Sequence, residues 1–356
     1  MRSISKSEAV RNLIIEDIHA GWYASGDALP SIETLAKRFE VSKNTVSLAL
    51  SGLREAGIVR LEHGKATRVT GQLFKRHVEV IVYGQYPALH DPFWGEFTRG
   101  IEDELREHAD VTFRQTSLVE SFLWTGEEIP EHIRRGGLLL LGTASEEFVR
   151  RIRQSRIPFA LVFDANPAGK YPFFSVDLEP AIDEIVARFA RAGCSRVAYI
   201  GTEGDHNMGR ENINRRKHRL FNAALERHGL PVLPELHSDC LHFLRCGYRA
   251  IRELLEKHRA PDAVFFASDV LAPGGYKALH EAGLHVPEDV VAAGCDNLEI
   301  GDYVVPPLTT IEFDRYGIGR AAASGLVARL HGRESIPSRF FPAAIVNRES
   351  FPIQHS

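Results

Sequence analysis

Apolar residues in the N-terminal part of the chain recur at helical spacing and predict three short helices. The first is expected from Val10 to Ile18, and Gly21 marks its end. The second is expected to open at Pro30-Ser31, because proline suits a first helical turn and serine caps free backbone N–H groups. The third follows Ser42, which is placed to cap it. Its predicted buried side consists of Val46, Ala49, Leu50 and Leu53.

The opposite side of the third helix is polar and partly basic. It carries Lys43, Asn44, Thr45, Ser47, Ser51 and Arg54. A helix in a major groove needs such side chains, because base edges are contacted by hydrogen bonds and phosphates by positive charge. After Gly57, two strands are predicted at 58–61 and 67–69, joined by a hairpin with His63, Gly64 and Lys65 at its tip. This order of elements predicts a DNA-binding domain.

From Val78 onward, short apolar runs alternate with helical patterns. Strands are predicted at 78–82, 111–114, 136–142, 157–163, 196–200, 263–267 and 290–294. Helices are predicted at 93–108, 146–155, 180–192, 214–228, 246–257 and 272–282. The alternation predicts parallel sheets covered on both faces. Residues 78–356 are numerous enough to form two lobes.

Acidic residues and glycines cluster just behind the predicted strands. Asp164, Asp269 and Asp296 are the acidic examples, and Gly142 and Gly201 follow two other strands. In open α/β sheets, ligands bind outside the carboxyl ends of the strands. These positions therefore predict a small-molecule pocket.

Composition and charge agree with a basic DNA-binding domain at the N-terminus and an acidic remainder of the chain. Of the 356 residues, 44% are hydrophobic and 25% are charged, as in ordinary globular proteins. The net charge is −4, but residues 1–76 carry +4 and the remainder −8. No apolar run would span a bilayer, and the N-terminus does not resemble a signal peptide, so we expect no membrane partner and a cytoplasmic location. The four cysteines are expected to be free buried thiols.

The N-terminal segment resembles the winged helix-turn-helix of GntR-type bacterial regulators. That family follows roughly L-P-S-x-x-x-L-A-x-x-F-x-V-S-R-x-T-V-x-x-A-L, and this chain has LPSIETLAKRFEVSKNTVSLAL. With the polar face described above, the resemblance implies DNA contacts by Ser31, Ser42, Lys43, Asn44, Thr45, Ser47, His63, Gly64 and Lys65. Lys43, Glu33 and Ser47 stand where the family often has arginine. Because lysine cannot form the bidentate contact of arginine with guanine, the base preference is not transferred.

The rest of the chain resembles the LacI/periplasmic-binding-protein type I effector domain. The resemblance is strongest in SDVLAPGGYKALHEAGLHVPEDVVAAGCDN and PPLTTIEFD, and RAGCSRVAYIG also matches. It implies that Asp296 accepts hydrogen bonds from ligand hydroxyls and that Asp269 lies at the cleft. The arginine of the family's R-x-x-G-F is replaced in KHRLF, so either Lys217 or Arg216 would donate to the ligand. Phe93 or Trp94 would form an apolar wall, and Asp164 completes the predicted ligand-binding set.

Together the two resemblances imply the arrangement of arabinose-repressor-like proteins. The predicted fold is an α/β two-lobed periplasmic-binding-protein-like (type I) effector domain with a small N-terminal winged helix-turn-helix domain. The expected boundaries are residues 1–70 for the DNA-binding domain, 71–77 for a linker and 78–356 for the ligand-sensing domain.

Motifs of common enzyme classes are not found in the sequence, including G-x-S-x-G, a P-loop and H-E-x-x-H. His206, His218, His228, His237 and His242 show no metal-ligand spacing and are expected to be solvated. We therefore expect no catalytic residues, no metal and no cofactor. A solute-binding protein and an α/β sugar-processing enzyme with a DNA-binding appendage remain the alternatives.

The predicted function is that of a ligand-responsive transcriptional regulator. A homodimer would present two DNA-binding domains to a palindromic operator, and a small effector would favour one of two lobe arrangements. Release of operator DNA by a sugar-like effector is the favoured direction, by analogy with the family. The sequence leaves the effector, the operator and the regulated genes open.

Overall fold

A computed structural model describes residues 5–19, 22–61, 66–70, 76–83, 92–108, 110–117, 133, 136–165, 169–202, 211–333 and 335–351. Among them, no helix combines the length and the apolar character that crossing a bilayer requires.

The N-terminal domain consists of three helices and a two-stranded hairpin. Its elements are α1 (Lys6–His19), α2 (Ile32–Arg38), α3 (Lys43–Glu55), β1 (Val59–Leu61) and β2 (Thr67–Val69). The strands pair antiparallel, with Val59 opposite Val69. The apolar stripe predicted for α3 is buried and forms one core with Ile14 of α1 and Leu35 of α2. The predicted winged helix-turn-helix is therefore confirmed.

Serine caps fix the starts of α2 and α3. The Oγ of Ser31 accepts from the Thr34 backbone N–H at 3.1 Å, and that of Ser42 accepts from the Thr45 N–H at the same distance. Both caps agree with the sequence, although Pro30 precedes the cap rather than entering the first turn. Each cap satisfies one of the N–H groups that a helix start leaves without a partner.

Eleven described strands form one sheet in the remaining part of the chain. They are β3 (Arg76–Val82), β4 (Val111–Ser117), β5 (Gly137–Leu141), β6 (Phe159–Val162), β7 (Phe173–Asp177), β8 (Val197–Gly201), β9 (His237–Asp239), β10 (Ala263–Phe266), β11 (Val291–Cys295), β12 (Thr309–Phe313) and β13 (Arg339–Val346). Their order across the sheet is β4-β3-β5-β6-β7-β13-β12-β11-β10-β8-β9. Every pairing is parallel except that between β12 and β13. This is the predicted α/β architecture.

The long strand β13 connects the two halves of the sheet. Its first residues, Arg339–Pro342, pair with β7, and its later residues, Ala343–Val346, pair with β12. One half therefore contains β3–β7 and the other β8–β12. The sequence analysis did not predict β13, β7, β9 or β12.

Helices cover both faces of the sheet. They are α4 (Pro92–Arg106), α5 (Glu146–Gln154), α6 (Glu179–Arg191), α7 (Ile213–Arg227), α8 (Leu244–Lys257), α9 (Ala272–Glu281) and α10 (Arg315–Leu330). Alternate strand residues enter different cores. In β10, Phe265 belongs to one apolar cluster and Phe266 to the other. Burial on both sides explains why these strands are continuous apolar runs in the sequence.

Two glycines bring α4 and α10 into close contact. A Cβ on Gly100 would lie 2.1 Å from the backbone oxygen of Tyr316, and one on Gly319 would lie 2.2 Å from that of Phe97. Only glycine permits this approach. As a result, Phe93 in the first turn of α4 lies next to Arg315, the first residue of α10.

The start of β3 differs from the sequence prediction. Strand β3 begins at Arg76, so Arg76 and His77 of the expected linker are part of the sheet. Arg76 and His77 belong to β3 because each pairs in register with a residue of β4. The four cysteines are free and buried, as predicted.

Candidate functional site

A buried ion pair lies where β10 and β11 end. Lys217 of α7 is 2% exposed, and its Nζ donates to the carbonyl of Ala267 at 2.6 Å. The same Nζ lies 3.5 Å from Oδ1 of Asp296. Burial lowers the pKa of the Lys217 ammonium, but Asp296, together with Cys295 and Tyr199, raises it by more, and the pKa stands above its usual value. Lys217 is therefore held as a cation.

His242, in the loop after β9, faces the same ion pair. Its Nε2 is buried and has no hydrogen-bond partner among the described residues. Burial, with a smaller contribution from the Lys217 ammonium, lowers the pKa of His242 to about 4. His242 is therefore neutral at pH 7 and keeps one ring nitrogen available for a polar group. A buried polar atom without a protein partner is a feature that bound ligands often explain.

Arg315 connects this ion pair to the other half of the sheet. Its guanidinium donates to the backbone carbonyl of Asp296. The guanidinium carbon also lies 5.8 Å from the ring centre of Phe93 and 5.7 Å from that of Phe313. We call Phe93, Lys217, His242, Asp296 and Arg315 the central cluster.

Aromatic rings surround the Phe93 side of the central cluster. Phe93 contacts Trp94 and Phe163 at ring-centre distances of 4.8 and 5.1 Å. Phe163 in turn stacks on Phe313 at 5.5 Å. Because Phe163 follows β6 and Phe313 ends β12, this group joins the two halves of the sheet. The structure thus brings the predicted aromatic pair and Asp296 to one region.

The backbone is unusual at two points of this region. Asp296 has a φ of 106° and Phe163 a φ of 53°. Non-glycine residues in such conformations cost free energy, and they concentrate at functional sites. Phe163 directly follows β6 in one half of the sheet, and Asp296 directly follows β11 in the other half.

Asp269 is engaged by protein groups. The Thr310 hydroxyl lies 2.7 Å from its Oδ1, and the Leu298 N–H donates to its Oδ2 at 2.9 Å. The carboxylate packs on Gly294, where a Cβ would lie 2.1 Å from Oδ1. Burial, followed by repulsion from Asp296, raises the pKa of Asp269 to about 8. Asp269 therefore braces the loop that follows Asp296, and its contact with a ligand stays a prediction.

Arg216 and Asp164 take no part in the contacts described above for the central cluster. The Arg216 Nη2 is 3.9 Å from Oδ1 of Asp177, and its guanidinium stacks 5.0 Å from the Phe340 ring centre. Of the two candidates for the family's arginine, Lys217 is thus the one that meets Asp296. Asp164 is fully buried, and its backbone carbonyl accepts from Ser175. Ligand contacts by both residues stay predictions.

The prediction that the histidines are solvated was wrong where the structure describes them. His218 and His237 are half-buried and lie 2.9 Å apart, and His228 contacts Asp183 at 3.1 Å. His206 lies outside the described residues. No group of three or more metal-ligating side chains occurs in the described ranges. His242 and Arg315 were missed because neither follows a predicted strand.

In the N-terminal domain, α3 exposes a continuous polar face. Lys43, Asn44 and Ser47 are exposed and Thr45 is half-buried, whereas Val46 is fully buried. Ser42 and Ser31 lie at the starts of α3 and α2, where backbone N–H groups attract phosphate. The predicted helix residues are therefore on one accessible surface.

Lys43 has an acidic neighbour on this surface. Its Nζ lies 3.4 Å from Oε1 of Glu33, and both side chains are more than half exposed. The contact is an exposed pair of small net value, so DNA phosphate can compete for Lys43. His63, Gly64 and Lys65 at the hairpin tip lie outside the described residues, and their contacts stay predictions.

The two parts of the chain match separate protein families. Residues 6–69 match the bacterial regulatory proteins of the gntR family. Residues 186–351 match the periplasmic binding protein-like domain. The second match includes Lys217, His242, Asp296 and Arg315 of the central cluster.

Curated relatives and solved structures agree with these matches. The chain is 29% identical over 266 residues to the HTH-type transcriptional repressor MelR of Bacillus subtilis, covering 73% of this chain and 74% of MelR. It is 29% identical over 322 residues to the repressor CytR of Escherichia coli, covering 85% of this chain and 90% of CytR. The complex of the transcriptional regulator CelR with cellobiose has a TM-score of 0.66 at 21% identity, covering 90% of this chain and 100% of CelR.

The fold, the surface of α3 and the two family matches lead to one assignment. The relatives above are transcriptional regulators, which agrees with the sequence prediction. The chain thus joins a winged helix-turn-helix of the gntR family, at residues 6–69, to a periplasmic-binding-protein-like domain, at residues 186–351, which is the architecture predicted from the sequence for a ligand-responsive, DNA-binding transcriptional regulator.

Proposed function

We propose that the chain is a repressor whose affinity for operator DNA falls when a hydroxyl-rich, sugar-like metabolite binds at the central cluster. The observation that carries the proposal is the buried Lys217–Asp296 pair beside the unpartnered His242 nitrogen. Carboxylate, ammonium and imidazole groups supply acceptors and donors for hydroxyl groups. The Phe93 and Trp94 rings supply an apolar surface for the face of a sugar ring. The solved complex of CelR with cellobiose supports this ligand class.

The response would arise from unequal binding to two arrangements of the sheet halves. The central cluster draws Phe93 from one half and Asp296 from the other, and Arg315 contacts both. A ligand held by both sides favours the arrangement in which they are close. Operator DNA would favour the other arrangement, so by linkage the DNA and the ligand weaken each other's binding.

We propose that the ligand is bound without being converted. Lys217 is held as a cation by Asp296, so its amine is not available as a nucleophile. Burial raises the pKa of the Cys295 thiol, which keeps the sulfur protonated. We propose that the protein acts in the cytoplasm on operator DNA, with residues 1–70 as the DNA-binding unit and 78–356 as the sensing unit.

The active form is proposed to be a homodimer that uses the outer surface of the second sheet half. Tyr303 and Val305 are 76% and 89% exposed there. They border a groove of about 880 Å³ that Tyr276, His280, Val286 and Pro306 also line. Large apolar side chains around an open groove are typical of protein contact surfaces. Val305→Glu should therefore produce monomers in analytical ultracentrifugation, whereas Leu241→Glu, at an exposed apolar residue outside this groove, should leave the dimer intact.

Operator binding with and without a metabolite panel tests the main proposal. Duplexes enriched from a random library by the ligand-free protein are titrated by fluorescence anisotropy, in the presence of sugars, nucleosides and phosphorylated sugars. One compound is expected to weaken binding at least tenfold and to be recovered unchanged by mass spectrometry. If no compound alters operator affinity, the repressor proposal is wrong. If the compound is consumed, the enzyme alternative is favoured.

A further inference from the structure

The exposed face of α3 contains one large apolar side chain. Leu48 is 57% exposed, although it lies in a helix whose other leucines, Leu50 and Leu53, are buried. Its neighbours at helical spacing are Asn44 and Ser51, which are polar. Leu48 therefore stands in the middle of the polar face, opposite the stripe that forms the core.

The charges along this face indicate which end of α3 approaches DNA. Lys43 lies at the first position of the helix, and Glu55 at the last. Arg54 and Glu55 in the last turn carry opposite charges, so that end has no net positive charge, whereas the N-terminal end of a helix attracts phosphates. In helix-turn-helix domains, the N-terminal residues of the second helix contact base edges. Leu48 lies one turn after Asn44 and so remains within the groove.

In the major groove, the apolar feature of a base pair is the 5-methyl group of thymine. Guanine, cytosine and adenine present hydrogen-bonding groups that a leucine cannot satisfy. Leu48 would remove their water without replacing its hydrogen bonds, which disfavours those bases. Contact with a methyl group instead buries apolar surface on both partners.

We propose that Leu48 determines operator specificity by packing against the 5-methyl group of one thymine in each half-site. This inference rests on the proposed operator binding and adds the chemical feature that α3 recognises. The position of the family's frequent arginine is occupied by Ser47, so guanine contacts are not expected from the adjacent residue.

Replacing thymine with uracil tests the proposal, because uracil lacks only the methyl group. An operator is first enriched from a random duplex library with the full-length protein. Each thymine in turn is then replaced by deoxyuridine, and the dissociation constants are measured by fluorescence anisotropy. We expect one symmetric pair of positions at which uracil weakens binding by about three- to tenfold.

Two variants assign the effect to Leu48. Leu48→Ala should bind the thymine and uracil operators within about twofold of each other. Leu13→Ala, which shortens another exposed leucine of the same domain, should retain the full ratio. Because each variant is compared with itself on two operators, a general loss of stability or affinity does not alter the ratio.

Three results would overturn the proposal. The wild-type protein could bind uracil and thymine equally at every position, or Leu48→Ala could keep the wild-type ratio. Either result would exclude Leu48 while leaving operator binding intact. Enrichment of no sequence at all would instead count against DNA binding by this domain, and the proposal for Leu48 would fall with it.

Discussion

The polar residues of the predicted DNA-binding surface and those of the central cluster differ in sequence separation and in exposure. The residues of the first lie within one segment, are exposed, and are held by local caps at Ser31 and Ser42. Those of the second come from five separate segments between Phe93 and Arg315, and Lys217 and Asp296 are buried. Removing one charge from the exposed surface should change the free energy of unfolding only slightly. Removing one from the buried cluster leaves its partner buried without a counter-charge. The same substitution should therefore have different consequences in the two regions.

The largest contrast is expected from replacing lysine with methionine. Lys217→Met leaves the Asp296 carboxylate buried without its counter-charge, so the free energy of unfolding should fall by about 3–5 kcal/mol. Lys43→Met removes only an exposed pair and should change it by less than about 1 kcal/mol. Urea denaturation of both variants measures this. Equal losses would show that the two lysines are in similar environments, contrary to the structure.

Next in size is the contrast between two neighbouring carboxylates. Asp296→Asn should raise the effector concentration needed for operator release at least tenfold, because a charged acceptor is lost. Asp269→Asn should shift it less than threefold. Since the pKa of Asp269 is raised to about 8, the native side chain is mostly neutral at pH 7, and asparagine resembles it. Anisotropy titrations with the identified effector distinguish these outcomes, and thermal unfolding confirms that both variants are folded. A large shift for Asp269→Asn would place that side chain in contact with the ligand.

A smaller effect is expected from the acid titration of His242. Its pKa is about 4 in the folded chain, below the ordinary value of 6.5. Between these values the unfolded chain binds a proton that the native chain does not, so stability falls as the pH is lowered from 7 towards 4. His242→Gln should reduce this loss by about 1–3 kcal/mol. Urea titrations at pH 7, 5.5 and 4.5 measure the difference. Parallel curves for the two proteins would contradict the burial of the His242 Nε2 atom.

The smallest expected effects concern the Lys43–Glu33 pair. Lys43→Ala should reduce the slope of log K against log salt by about one phosphate contact. Glu33→Ala should increase operator affinity about two- to fivefold, because Lys43 is released from its acidic partner. Binding measured between 50 and 200 mM salt gives both values. A slope that Lys43→Ala leaves unchanged would exclude Lys43 as a phosphate ligand.

Much of the DNA-binding domain could be predicted from sequence because its determinants are local. The spacing of Val46, Ala49, Leu50 and Leu53 sets the buried side of α3, and Ser42 caps the same helix. A helix of this kind exposes its remaining residues wherever the domain is placed. The sequence did not show that Glu33 reaches Lys43, because that contact depends on how α2 and α3 pack.

In the effector domain the sequence determined the class of fold and several members of the site. Continuous apolar runs indicated strands buried on both faces, and the acidic residue after β11 indicated Asp296. The crossing strand β13 could not be predicted, because its RFFPAAIV segment has no pattern that assigns one end to β7 and the other to β12. That pairing joins the two halves of the sheet.

The sequence by itself thus determined the helices other than α10, most strands of the sheet and the two families that separate parts of the chain match. Tertiary structure alone decided that Lys217 rather than Arg216 meets Asp296, that Asp269 is held by Thr310, and that His242 and Arg315 join the site. The physical reason is that spacing along a chain fixes which face of an element is apolar. Which charges share a buried volume depends on the packing of elements that are distant in sequence, as in the glycine contact that places Arg315 beside Phe93.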